Sequence, residues 1–443
     1  MRKSIVAFLV FAFICLQWCF AETINDLEIN SRSVYMVNLD NGQVMLDKNS
    51  DKKMEPASLT KIMTSLVVLE NCKDIKNEKV TVEDDSLFYE IRREGGANLA
   101  LKTGETFTVE DLLYATMLHS ACDAAELLAY HFGGGDVDAF VEMMNARAAE
   151  IGAKDTLFRN PHGLDADGHV TTAYDMYLIT REALKNTQFS EIISHTSYII
   201  PETEKSGERN VKYRVELVNK ASANYYRYAM GIKTGFTDLA GRCLVTMAKK
   251  EDASYLLVLM GANLDGEPAP IKTYGDATRL FEYVFNAYSL VDVAGSGEKL
   301  AQTQLAFDAT NKKTIDLVAR DRICLLLPHG VTADMTQAVY EYRKDITLPL
   351  MTGQEVGTVS YMYDGEKIAE FVLLSGTDVY DTMPDGELKY YPAEGFNTLT
   401  FWKTFFVICA VLCIIGILHI LRNKGKKRAR RNAPPVRKRN LDK

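Results

Sequence analysis

Alternation and helical spacing divide the chain into recognisable stretches. SVYMVNLDNGQVMLDKN alternates apolar and polar residues on both sides of Asn41-Gly42, a strong two-residue turn signal, and predicts a β-hairpin. MEPASLTKIMTSLVVLENC places Leu59, Ile62, Met63, Leu66, Val67 and Leu69 on one stripe and predicts an amphipathic helix. TVEDLLYATMLHSACDAAELLAYHFGG keeps helical spacing on both sides of His119-Ser120 and ends in glycines. DVDAFVEMMNARAAEIGA and TTAYDMYLITREALKN predict two further helices, the second opened by capping-box spacing from Thr172 to Asp175. Later, YAMGIKTGF, GRCLVTMAKK and SYLLVLMGAN are short apolar runs between turn-like residues and predict successive antiparallel strands. PIKTYGDATRLFEYVFNAYSL predicts a closing helix. A hairpin first, helices in the middle and strands late imply one sheet built from both chain ends. A single α/β domain over residues 22–293 is expected.

The pattern changes after Val293. AGSGEKL reads as a linker, and residues 299–391 alternate in short segments such as TIDLVA, ICLLLP, EVGTVSYMY and KIAEFVLL. A second, small, β-rich domain is expected there, near the lower size limit for an independent core.

Both termini depart from this globular pattern. Arg2 and Lys3 precede the apolar run IVAFLVFAFICLQWCF, and the small residue Ala21 stands before Glu22. This is the layout of a secretory signal peptide over residues 1–21. Near the other end, Phe401 to Leu421 is nearly uninterrupted apolar sequence of bilayer-crossing length. The tail from Arg422 holds eleven Lys/Arg and one acid, so it is expected in the cytoplasm. The expected arrangement is a single-pass membrane protein with its bulk on the extracytoplasmic side.

Charge sharpens that division. The chain carries −8 overall; setting aside the +10 tail and the +2 of Arg2 and Lys3 leaves −20 on residues 22–421. An acidic ectodomain argues against nucleic acid as a partner. Cys72, Cys122, Cys243 and Cys324 are too few and too dispersed for a disulfide scaffold. They lack C-x-x-C spacing and a His cluster, so neither a metal nor another cofactor is expected.

The chemistry lies in three short motifs. A serine nucleophile needs a base within hydrogen-bond reach, and Ser-x-x-Lys at a helix start supplies an amine on the same face. Backbone N–H groups at that helix start can also face a developing oxyanion. Ser50/Lys53, Ser296/Lys299 and Ser58/Lys61 all match, but only Ser58/Lys61 opens an amphipathic helix. Ser120-Ala121-Cys122 offers a hydroxyl able to relay a proton. It ranks above Ser222-Ala223-Asn224, which leads directly into a strand. Lys-Thr-Gly occurs twice. Lys102-Thr103-Gly104 lies in a turn, whereas Lys233-Thr234-Gly235 lies in a predicted strand, where Lys and Thr can bind a carboxylate and Gly leaves room for substrate backbone.

In the order SLTK, SAC, KTGFT these elements resemble the penicillin-recognising serine peptidases and β-lactamases. The flanks EPASLTKIMT, LKTGETFTVEDLLYATMLHSACDAA, NPHGLDADGHVTTAYDM and GIKTGFTDLAGRCL resemble the low-molecular-weight D-alanyl-D-alanine carboxypeptidases over about residues 30–290. That resemblance implies a β-lactamase/transpeptidase-like α/β fold, an antiparallel sheet with flanking helices. It implies removal of the terminal D-alanine from peptidoglycan stem peptides ending in D-Ala-D-Ala, and β-lactams as covalent inhibitors. It casts Ser58, Lys61 and Ser120 as catalytic residues. Lys233, Thr234, Gly235, Phe236 and Cys122 then contact substrate, with the N–H groups of Ser58 and Phe236 holding the oxyanion. Lys61 is expected to be a neutral base, its pKa lowered by burial and by Lys233.

One residue departs from the family. Cys122 stands where the family has Asn, and a thiol is a weak donor and a weak acceptor. This supports a rival reading as a weakly active or inactive penicillin-binding scaffold. A second rival, a β-lactamase, lacks support because KDTLFRNPHGLDADGH contains no glutamate to activate a deacylating water.

Overall fold

The computed structural model describes residues 23–263, 272–307 and 312–380. The expected signal peptide, membrane span and basic tail lie outside the described residues. Among those described, no helix is long and apolar enough to cross a membrane. The chain divides into two compact units. Of the described residues, one unit holds those up to Thr303 with Asp316–Lys344 and Glu355–Gly376; the other holds those within Gln304–Ile315 and Asp345–Gln354 and those from Thr377.

The first unit is built around a five-stranded antiparallel sheet. Its strands are β1 (Ser33–Asn38), β2 (Val44–Lys48), β3 (Ala229–Thr237), β4 (Gly241–Lys250) and β5 (Ala253–Ala262), in the order β2-β1-β5-β4-β3. Met36 lies opposite Leu257, so the two chain ends meet in mid-sheet, as the order of the apolar segments requires. The β1–β2 connection is wider than a two-residue turn. Asn38 Oδ1 accepts from the N–H groups of Asp40 and Asn41, and this opens the loop. Five helices matter for the site: α1 (Lys61–Asn71), α2 (Cys122–Phe132), α3 (Val137–Ile151), α4 (Ala173–Ala183) and α5 (Lys272–Ala287). Every residue of α1 from Lys61 to Leu69 is buried, which makes it the central helix and not a surface one. Each fully buried Leu, Ile or Met there contributes about 1.5–3 kcal/mol of transfer free energy.

α5 lays Tyr274, Leu280, Phe281, Val284 and Phe285 against β4 and β5. It stops at Ala287, short of the Leu290 that the periodicity suggested. Tyr288–Ala294 is instead β6, paired with β8 (Ile323–Pro328), because its apolar residues have strand partners in ICLLLP. AGSGEKL is accordingly a tight turn, not a free linker. Gly297 N donates to Ala319 O, and Ser296 Oγ donates to Arg320 O. β7 (Lys312–Ala319), β9 (Gln337–Tyr342), β10 (Glu355–Tyr363) and β11 (Glu366–Ser375) form the expected β-rich part, with β10 between β9 and β11. In the second unit, Leu350 and Val379 form an isolated antiparallel bridge.

Candidate active site

Ser58 does not sit on α1 itself. It lies on a single 3-10 turn, Ala57–Thr60, that feeds the helix. Ala57 adopts a left-handed φ of +47°, which costs a non-glycine residue about 1–2 kcal/mol. Packing from behind holds this turn. Thr60 Oγ1 donates to Ala57 O at 2.8 Å and lies 2.9 Å from His169 Nε2. Arg159 N donates to His169 Nδ1, so that ring carries its proton on Nε2 and donates it to Thr60. Gly163 packs against the same turn: a Cβ there would fall 1.9 Å from Ala57 O, and its φ is +85°.

The three-residue spacing carries Lys61 back over Ser58, with Nζ 3.0 Å from Ser58 Oγ. The same amine donates to His162 O at 2.5 Å and to Cys122 Sγ at 3.3 Å. Lys61 is fully buried, and Ser58 is half-buried at the cleft.

The helical stretch around His119 is interrupted. Ala115–His119 is a π-helical turn, and Ser120 follows with left-handed backbone, φ +62° and ψ +30°. π-bulges and left-handed non-glycine residues concentrate at functional sites. This break turns the Ser120 hydroxyl into the cleft before α2 begins at Cys122. Asp123, in the first turn of α2, accepts the N–H groups of Leu99 and Leu101 and so ties the 97–101 segment beneath the site.

β3 supplies the third wall. A bulge between Gly231 and Lys233 leaves both Ile232 and Lys233 buried. Lys233 Nζ donates to Ser120 Oγ and to Thr234 O, each at 2.9 Å. Gly235 has a use the sequence did not suggest. A Cβ there would stand 3.1 Å from Ser58 N and 3.0 Å from Ala57 Cβ, so its bareness lets β3 lie against the Ser58 turn. Phe236 is exposed, with the Arg242 guanidinium 4.0 Å from its ring centroid. Ser58, Ser120, Cys122, Thr234, Phe236 and Arg214 line one cleft of about 1160 Å³.

Burial lowers the pKa of Lys61; the Cys122 thiol opposes this and Arg214 assists it. Burial, then repulsion from Lys61, pushes Lys233 well below the ordinary lysine range. Repulsion between the two amines therefore disfavours charging both at once, in the sense expected for a neutral base.

The alternative motifs lie elsewhere. Lys53 pairs with Asp155 and Lys299 with Asp316. Ser222 Oγ and Asn224 Nδ2 both donate to Glu216. Lys102 Nζ bonds Ser206 in an exposed turn. His162, Gly163 and His169 lie outside the three motifs, and all buttress the site. Gly163 alone left a trace in sequence, as a glycine following a proline turn. Cys72, Cys122, Cys243 and Cys324 are free, buried thiols. Among the described residues, no cluster of three or more His, Cys, Asp or Glu could hold a metal ion.

With this geometry in hand, the likeness to known proteins is specific. Residues 20–264 match the D-alanyl-D-alanine carboxypeptidase family, and residues 288–381 match the C-terminal domain of penicillin-binding protein 5. The chain is 29% identical to the D-alanyl-D-alanine carboxypeptidase DacF of Bacillus subtilis, over 80% of this chain and 87% of that one. Penicillin binding protein 5 of Haemophilus influenzae superposes with a TM-score of 0.66 at 26% identity, covering 80% of this chain and 98% of its own. Solved variants of a Streptomyces DD-transpeptidase, TM-score 0.53 at 26% identity, cover 58% of this chain and 99% of theirs. Two of them carry alanine in place of a serine and of a cysteine two positions further on, the spacing of Ser120 and Cys122. With the α/β fold of transpeptidase type and the β-rich C-terminal domain, a family match over more than half of the chain means that this chain belongs to the D-alanyl-D-alanine carboxypeptidase family of serine peptidases.

Proposed function

We propose that Ser58 is the nucleophile of this carboxypeptidase and Lys61 its base. The single observation that carries the assignment is the 3.0 Å approach of Lys61 Nζ to Ser58 Oγ inside a buried pocket that favours the neutral amine. Lys61 takes the Ser58 proton as Oγ attacks the carbonyl of the penultimate D-alanine. The N–H groups of Ser58 and Phe236 face the oxyanion; the contact of Gly235 with Ser58 N supports their proximity. Lys233 and Thr234 bind the terminal carboxylate. Ser120, bonded to Lys233, passes a proton to the departing D-alanine as the C–N bond breaks. Water then attacks the ester and gives its proton to Ser120 while Lys61 returns the first proton to Ser58 Oγ, and the tetrapeptide leaves with Ser58 restored. A β-lactam acylates the same oxygen but leaves slowly, since residues 154–169 contain no glutamate to activate water.

The spacing of Ser120 and Cys122 matches the serine–cysteine pair of the Streptomyces DD-transpeptidase variants, which favours an active enzyme over an inert scaffold. The ends of the chain complete the reading. Residues 1–21 direct export, 22–293 form the catalytic domain and 299–391 the β-rich domain. Residues 401–421 anchor the chain in the membrane, with 422–443 in the cytoplasm. Truncation before Phe401 then releases the protein from the membrane fraction; retention there contradicts the anchor. Labelled penicillin tests the nucleophile: the adduct is expected on the peptide containing Ser58, and an adduct on Ser50 or Ser296 contradicts the assignment.

A further inference from the structure

His162 links two groups that the mechanism leaves unconnected. Its carbonyl accepts from Lys61 Nζ at 2.5 Å. Its ring turns toward α2, where Nε2 lies 3.5 Å from Glu126 Oε2. Leu164 N donates to ring Nδ1 at 3.2 Å, so Nδ1 is the acceptor and the proton sits on Nε2, on the side of Glu126. The two side chains are 10% and 14% exposed. The 3.5 Å separation is within ion-pair reach but is not a hydrogen bond, and Oε2 has no hydrogen-bond partner. Glu126 stands one helical turn after Cys122, on the face of α2 that Cys122 turns toward Lys61.

A buried carboxyl oxygen without a hydrogen bond costs stability. Burial pushes Glu126 up to about 7, and Asp138 on α3 pushes the same way. Burial, Lys61 and His169 push the His162 imidazole well down. Asp138 from α3, Lys61 from α1, and His162 and His169 from the 156–172 segment are the titratable groups that act on this pair.

We infer that Glu126 is a positioning residue for the lysine base: its carboxyl, within ion-pair reach of the His162 ring, restrains that ring and with it the carbonyl that orients Lys61 Nζ toward Ser58. This rests on the role proposed above for Lys61. As Glu126 ionises, it draws Nε2–H into a charge-assisted bond, and its charge favours the ammonium form of Lys61. The wild-type rate of acylation should therefore rise with pH later than the pocket around Lys61 alone would give.

The test uses the full-length protein in detergent, a fluorescent penicillin, acylation rates between about pH 5 and 9, and thermal melting. Glu126→Met should leave Tm within about 3 °C of wild type, because the cost of the unbonded carboxyl oxygen goes while the His162 Nε2–H loses its ion-pair partner. It should also lower the plateau acylation rate about tenfold, the scale of one lost charged hydrogen bond. The midpoint of the acid limb should move to lower pH. Glu126→Gln, which keeps the shape without the charge, should reproduce the shift in midpoint. Wild-type rates and midpoints in both variants would make Glu126 a bystander. A fall in Tm and rate together, with the midpoint fixed, would make its role structural; either result overturns the inference. Lys61→Ala separates the two levels. Acylation lost in Lys61→Ala but untouched in both Glu126 variants overturns this inference alone, whereas acylation surviving Lys61→Ala overturns the role of Lys61 and the inference with it.

Discussion

Lys61 Nζ donates to Cys122 Sγ at 3.3 Å, so the thiol meets the base directly as well as the cleft. An asparagine at this position offers a carbonyl to the amine and an amide to the substrate, while a thiol does both weakly. Cys122→Asn should therefore raise D-alanine release from a pentapeptide and leave penicillin acylation at Ser58 nearly unchanged. Steady-state turnover and burst amplitude measure the two separately. Lower turnover in Cys122→Asn would give the thiol a positive role.

Two glycines hold the nucleophile turn from opposite sides, with unequal tolerance. Gly163→Ala would drive a Cβ to 1.9 Å from Ala57 O at positive φ, and should cost about 2 kcal/mol or more of stability. Gly235→Ala meets only contacts of 3.0–3.1 Å, one of them to Ser58 N. It should leave Tm within about 3 °C of wild type but slow acylation about tenfold by displacing the oxyanion-binding N–H. Melting curves and acylation rates decide both.

The proposed role of Lys233, and not Lys102, in reading the substrate carboxylate is testable by substitution. Lys233→Ala should lose at least about 2 kcal/mol in kcat/KM, the scale of a lost charged hydrogen bond. Lys102→Ala, which removes an exposed contact to Ser206, should change little. The reverse result would mean that the wrong Lys-Thr-Gly has been placed in the cleft.

Much of this was legible in the sequence because local and global signals agree. Ser58, Lys61 and Lys233 announce themselves by helix start and strand context, and the hairpin, late strands and helices follow from periodicity. What was hidden depends on contacts between segments far apart in the chain. The left-handed Ala57 is set by Gly163, more than a hundred residues away. The π-turn before Ser120 breaks a run whose spacing is helical throughout. Tyr288–Ala294 reads as the end of a helix until ICLLLP supplies its partner. Glu126 looks like an ordinary polar position on an amphipathic helix until the 156–172 segment covers it.

Burial also sets a pH dependence. The base must be neutral, so acylation should fall as pH drops through the lowered pKa of Lys61. Folding obeys the same shift. Between that lowered pKa and the ordinary 10.5, the unfolded chain binds more protons at Lys61 than the native one, so stability rises with pH across that window. Lys233 adds to the rise in the same sense. Lys61→Met should flatten the rise in denaturant midpoint between neutral and alkaline pH. An unchanged slope would mean that Lys61 is charged in the fold.

The most direct test of the whole account is D-alanine release from a pentapeptide ending in D-Ala-D-Ala, measured for the full-length protein and for Ser58→Ala. The wild type should release one D-alanine per peptide, and Ser58→Ala should release none above background while keeping the wild-type Tm within about 3 °C. Release that persists in Ser58→Ala, or is absent from a folded wild type that acylates normally with penicillin, would contradict the account.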